Sequence, residues 1–144
     1  MENVFKQLED MLGLNIIRRL FPVILTDNGS EFKNPAALEK SKYGSPCTRV
    51  FFCDRMASWQ KPHIERSHEY IRMVLPKGRS FDKLTQDDIT LLTNHINSIS
   101  RDSLDGKCPY DVAKEFIAKK LPYMLGLRKI PADQVVMRPC LLDK

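Results

Sequence analysis

Over the first thirteen positions Val4, Phe5, Leu8, Met11 and Leu12 recur at three- and four-residue intervals, which predicts an amphipathic helix over 2–13. The run FPVILT (21–26) reads as a short apolar strand, bounded by Pro22 and by an Asn28-Gly29 turn. NPAALEK predicts a short helix with Asn34 as its cap and Pro35 at its first position. CTRVFFC (47–53), rich in β-branched and aromatic residues, predicts a second strand. Pro62 opens a helix to about Leu75, closed by Pro76 and Gly78, with Ile64, Ile71, Val74 and Leu75 as its buried stripe. A further helix begins at Thr85, whose hydroxyl and Asp88 form a capping-box pattern, and Ile89, Leu92, Ile96 and Ile99 give it an apolar face. The last helix runs from Pro109 to Ala118, followed by LPYMLGL and an extended tail rich in Val, Met and Leu. The order α-β-α-β-α-α-α predicts an α/β chain.

Composition narrows the class. The 144 residues suit one domain with a modest core, and the hydrophobic and charged fractions, 42% and 28%, are ordinary for a globular protein. A net charge of +5 favours an anionic partner, with nucleic acid the first candidate. No run approaches the roughly 18 apolar residues of a membrane span. The acids within MENVFKQLEDMLGLNIIRRLF are unlike a signal peptide, so a cytoplasmic protein without membrane partners is expected. Cys47, Cys53, Cys108 and Cys140 contain no C-x-x-C pair, and free thiols are expected.

The candidate chemistry lies in ILTDNGSEF (24–32) and in the helix after Pro62. Asp27 ends an apolar strand, where α/β proteins commonly present ligands. Glu65 follows 38 positions later, near the start of a helix. Two convergent carboxylates suit Mg²⁺, a hard cation that keeps waters and accepts phosphate oxygens. Lys61, His63, Arg66, His68, Arg72, Lys77 and Arg79 fall within nineteen residues, with Trp59 just before them. Such cations can hold a DNA backbone and such an aromatic can stack on a base. The structural alternative is that Asp27 is a turn residue and that Glu65, Arg66, Glu69 and Arg72 are a solvated helix face.

Three ordered stretches, FPVILTDNGSEF, FFCDRMASWQKPHIERSHEYIRMVLPKGRSFDKLT and HINSISRDSLDGKCPYDV, resemble the C-terminal part of bacterial insertion-sequence DDE transposases with an integrase-type catalytic core. The resemblance covers nearly the whole chain. It implies a ribonuclease H-like fold in which three acids bind Mg²⁺, with Mn²⁺ as a substitute. It implies DNA strand cleavage at an element's end, then attack of the freed 3′-OH on target DNA. Asp27 matches the family's second acid and Glu65, after SWQK, its third. Thr26, Asn28 and Gly29 accompany Asp27 in the strand-end turn, and Asn28 joins Trp59, Lys61, Arg66, His68, Arg72, Lys77 and Arg79 as a DNA-binding candidate. Arg101, Leu104, Gly106 and Pro109 match the stretch that closes the core. Residues 1–110 correspond to part of that core and 111–144 to a helical extension and tail, in a nucleoid-associated cytoplasmic protein.

The chain departs from the family pattern in two places. Pro62 stands where the family usually has Gly, which stiffens the loop before Glu65. The first acid has no counterpart: the only upstream acids, Glu2, Glu9 and Asp10, sit in the helical pattern. A truncated fold is therefore expected, with about two strands, five or six helices and the first three strands missing. Its bare strand edge would favour pairing with a second copy or with full-length transposase. Little intrinsic catalysis is expected. Two readings compete with this one, a DNA-binding remnant without chemistry and a zinc module. Cys47, Cys53, His63 and His68 give C-x5-C-x9-H-x4-H, superficially finger-like. Finger cysteines are normally two to four residues apart, and this pair brackets an apolar strand, so no zinc is expected.

Overall fold

The computed structural model describes residues 2–27, 29–54, 58–60, 62–116 and 121–143, without the side chains of Glu31, Ser58, Pro62, His63 and Phe116. The chain forms two compact units, Met1–Pro62 and His63–Lys144. Among the described residues it is an α/β chain of two strands and seven α-helices, one or two helices more than expected.

In the first unit, α1 (Glu2–Leu12) is followed after Gly13 by α2 (Leu14–Leu20), which the apolar pattern did not predict. Gly13 adopts φ +80°, a left-handed conformation that ends α1 and costs glycine little. Phe5 of α1 and Phe21 just beyond α2 lie with ring centroids 5.2 Å apart. Strand β1 (Val23–Thr26), helix α3 (Pro35–Glu39) and strand β2 (Arg49–Phe52) complete the unit. The strands pair in parallel, Val23 opposite Arg49 through Thr26 opposite Phe52. Both are shorter than the apolar runs suggested. Asn34 sits at the α3 N-cap as expected, but its side chain makes no cap hydrogen bond.

The loop from α3 to β2 is closed by an isolated antiparallel bridge between Lys40 and Pro46, with Cys47 N–H donating to the Glu39 carbonyl at 2.7 Å, and is held further by side chains. The Lys42 backbone N–H donates to Glu9 Oε2 at 3.1 Å, and the Arg18 guanidinium donates to the Pro46 carbonyl at 2.7 and 2.9 Å. On the outer side of β2 the Val50 N–H donates to Glu39 Oε1 at 3.0 Å. The outer side of β1 differs. Arg49 and Cys53 donate to the carbonyls of Pro22 and Thr26, so the even positions of β1 face its partner and Val23 and Leu25 turn their amides outward. Their side chains are 53% and 43% exposed, high for apolar residues of a strand.

The second unit is helical. Helices α4 (Pro62–Val74) and α5 (Gln86–Asn97) contribute Val74, Leu75 and Leu92 to a core closed by Leu142, with Ile71, Leu84, Ile96 and Met137 packed against it. Ile64 and Ile89, expected in the buried stripes, are exposed instead, and Ile89 lines an open apolar cavity beside Ile71, Leu75 and Leu92. The capping box is present: Thr85 N–H donates to Asp88 Oδ2 at 2.9 Å and Asp88 N–H to Thr85 Oγ1 at 3.3 Å. Helices α6 (Pro109–Phe116) and α7 (Leu121–Met124) follow, and residues 117 and 118 of the last expected helix lie outside the described residues.

Two buried polar side chains of α5 and that of its C-cap, Ser98, hold the tail, which includes one-turn 3-10 helices at Ala132–Gln134 and Pro139–Leu142 where an extended segment was expected. Asn94 Oδ1 accepts from Arg128 N–H at 3.0 Å, Ser98 Oγ from Ile130 N–H at 2.8 Å, and His95 Nδ1 from Val136 N–H at 3.0 Å. The last bond requires a neutral imidazole with its proton on Nε2. Burial, and then the positive charge of Arg128, holds the His95 pKa below its ordinary value. The unfolded chain therefore binds a proton at this histidine near pH 6.5 while the folded chain does not, and stability falls as pH drops through that range. The melting temperature should fall from pH 7.5 to 5.5 by more in this chain than in His95→Asn, which keeps an acceptor but cannot titrate. Equal falls would contradict the assignment.

Candidate functional site

Asp27 is placed by the last rung of the ladder. Cys53 N–H donates to the Thr26 carbonyl at 2.7 Å, and Thr26 is buried, so the residue after it leaves the sheet at a fixed point. Asp27 is exposed there, and its Oδ1 accepts the Gly29 N–H at 3.2 Å, a local turn bond that orients the carboxylate. Gly29 has φ −62° and so needs no left-handed conformation. A one-turn 3-10 helix, Ser30–Phe32, begins directly after it.

Glu65 stands in the first turn of α4, where the helix dipole favours an acid, and is exposed. Other acids of the second unit are engaged: Glu69 with Arg66 at 2.9 Å, Asp111 with Lys129 and Glu115 with Lys107 at 2.6 Å, and Asp143 with Arg79 at 3.1 Å. The Lys129 hydrogen bond holds the Asp111 pKa below its usual range. Among the described residues Glu65 has no ion pair. Asp27 belongs to the first unit and Glu65 to the second.

The upstream acids have structural partners. Glu9 is buried and accepts the Lys42 amide, and Asp10 pairs with the Lys42 ammonium, raising its pKa chiefly through their hydrogen bond. Neither is presented as a ligand. Among the described residues no group of three or more His, Cys, Asp or Glu side chains is gathered as metal ligands.

The expected DNA-binding residues take several positions. Asn28 and Lys61 lie outside the described residues, as does the side chain of His63. Trp59 belongs to the first unit, in a one-turn 3-10 helix, Ser58–Gln60, and is 73% exposed. Its loop is pinned by a reciprocal pair in which Asp54 N–H donates to Gln60 Oε1 and Gln60 Nε2 to Asp54 Oδ2, each at 3.0 Å. The spacing on α4 places Glu65, His68, Glu69 and Arg72 on one exposed face, with Lys77 exposed just beyond the helix. Arg79 is engaged by the tail, donating to the Pro139 and Leu142 carbonyls as well as to Asp143.

Sequence reasoning missed one arrangement. The Arg66 guanidinium lies 5.7 Å and that of Arg101 5.0 Å from the centre of the Tyr70 ring. The four-residue spacing of Arg66 and Tyr70 on a helix was the available signal. Arg101 is brought in by a tight loop in which its carbonyl accepts from Leu104 and Gly106 and its N–H donates to the Lys107 carbonyl. Gly106 at φ +75° makes that loop possible.

The chain is 29% identical over 106 residues to the transposase for insertion sequence element IS4351 of Bacteroides fragilis, covering 73% of this chain and 31% of that protein. It is 32% identical over 102 residues to a candidate integrase, ORF3, of Spiroplasma virus SpV1-R8A2 B, covering 71% and 30%. With the transposase for insertion sequence element IS1086 of Cupriavidus metallidurans it shares 25% identity over 104 residues, 72% and 30%. The chain is related to insertion-sequence transposases, as the ordered motifs indicated, and spans about three-tenths of the length of these curated relatives. No family model and no solved structure matches it.

Trp59 is the one tryptophan of the chain. Its exposure predicts an emission typical of a solvated indole, readily quenched by iodide, and protection from that quencher when duplex or single-stranded DNA is added. Unchanged quenching with DNA bound would remove Trp59 from the interface.

Proposed function

We propose that this chain serves DNA transposition, carrying the second and third acids of a DDE transposase core with ribonuclease H-like topology. The observation that carries the reading is the position of Asp27, immediately beyond the last rung of β1, in a chain related to insertion-sequence transposases. By donor type Asp27 and Glu65 fit a hard divalent cation, Mg²⁺ or Mn²⁺ in its place. Such a cation, when bound, activates an attacking oxygen and stabilises a leaving one in phosphodiester chemistry. The protein's own contribution is to orient Asp27 through the Gly29 amide and to present Glu65, which has no ion pair among the described residues, in the first turn of α4. His68, Arg72 and Lys77 supply charge for the DNA backbone, and Trp59 an aromatic face for a base. Zinc is not called for, since Cys47 and Cys53 are buried at the two ends of β2 as small core residues.

Two carboxylates provide only part of a three-acid site, so the chain by itself binds DNA and cleaves it little or not at all. The test is incubation of a labelled duplex with this chain, Asp27→Asn and Glu65→Gln in Mg²⁺ and in Mn²⁺, with binding followed in parallel. Salt-sensitive binding without nicking is expected for all three. Nicking that both substitutions abolish would show that another group supplies the missing acid. Absence of binding at low salt would contradict the DNA reading.

The outward amides and exposed side chains of Val23 and Leu25 leave β1 open to a further strand. A second copy of the chain, or the corresponding edge of a full-length transposase, is the proposed occupant. Sedimentation should show association that Leu25→Lys reduces. Equal association of the two proteins would place the contact elsewhere.

A further inference from the structure

We propose that Arg66 and Arg101, arranged about Tyr70, form a site for one phosphate group of a DNA backbone, set on a different face of α4 from Glu65. This rests on the DNA reading above for the source of the phosphate, though not for its chemistry. A polar cavity of about 430 Å³ is lined by Arg66, Ser67 and Tyr70 of α4 and by Ser100, Arg101 and Ser103 of the loop after α5. Two guanidinium groups therefore share one ring and one cavity. Like charges repel, and the ring's negative face offsets this only in part. An oxyanion between them would offset the rest through charge-assisted bonds, for which the planar donor fork of arginine is suited.

The state of Arg101 supports this. Its Nε is buried and has no hydrogen-bond partner, and among the described residues its guanidinium has no carboxylate partner. The same side chain lines the polar cavity, and a buried polar donor is ordinarily paired. Arg66 gives one nitrogen to Glu69 and also hydrogen-bonds Tyr70, and its planar fork carries five N–H donors in all. Asp102 also lines the cavity, so the wall carries two cations and one acid. The serine hydroxyls can donate to the remaining oxygens. On α4, Arg66 and Tyr70 lie about a quarter to two-fifths of a turn round from Glu65. A phosphate held here lies on another face of α4 from Glu65 and serves to fix the DNA, not to react.

The test uses the full chain in two measurements. Inorganic phosphate is titrated while the backbone amides of 100–103 are followed by NMR, and affinity for a labelled duplex is measured across a salt series. The proteins compared are the native chain, Arg101→Gln, Arg101→Lys and Ser103→Asp. The last places a carboxylate in the cavity from an exposed position, so the test survives if Arg101→Gln does not fold. Expected are saturable shifts of those amides in the native chain, lost in Arg101→Gln and Ser103→Asp and weakened in Arg101→Lys. The salt slope of DNA binding should fall by about 0.9, the value of one phosphate contact, in Arg101→Gln or Ser103→Asp. Amide shifts with no change of slope would overturn DNA as the source and assign the site to a free phosphate compound. Amide shifts in a chain that binds no DNA would overturn the DNA source and the functional reading together, leaving the anion site standing. No amide shifts and an unchanged slope would overturn the site.

Discussion

Buried backbone amides must find acceptors, and this chain has little sheet in which to find them. Its two strands have four residues each, and among the described residues the segment from Arg128 to Val136 holds only a one-turn 3-10 helix, Ala132–Gln134. Side chains fill the gap. Glu9 and Glu39 accept amides of the α3–β2 loop and of β2, and Asn94, His95 and Ser98 accept three amides of the tail. Each is a local substitute for a strand. An acceptor lost from a buried pair leaves a donor unsatisfied, at a cost of about 1–3 kcal/mol. The fold of each unit thus depends on a few polar residues as much as on its apolar ones.

That dependence explains what could be read in the sequence. The helices α1, α4 and α5, the two strands and the capping box follow from local spacing and local chemistry, and they were legible. Helix α2 was not, because Leu14–Leu20 is two turns long and carries adjacent β-branched residues, Ile16 and Ile17, after a glycine. The polar face of α5 was also hidden. Asn94, His95 and Ser98 look like a solvated surface until the tail, more than thirty residues later, is seen to need them. Ile64 and Ile89 show the same limit from the other side, since periodicity marks them for burial and the packing leaves them exposed.

The candidate site divides in a similar way. Asp27 and Glu65 were legible from a strand end, a helix start and their motifs, and the structure places each as those contexts implied. The acids Glu9 and Asp10, set aside as ligands on pattern, have partners that give them other work. Arg79 belongs with the tail, a role that no local pattern signals. The Arg66–Tyr70–Arg101 arrangement joins a helix to a distant loop and was beyond any one-dimensional reading. Within α4 the acid and the arginine–tyrosine pair occupy different faces.

The proposed function requires Asp27 and Glu65 to serve one cation. Paramagnetic broadening by Mn²⁺ in the amide spectrum of the full chain tests it directly. Broadening of residues beside Asp27 and beside Glu65 at the same Mn²⁺ concentration, with both effects weakened by either Asp27→Asn or Glu65→Gln, is the predicted result. Broadening near only one of them, or near each independently of the other, would contradict it.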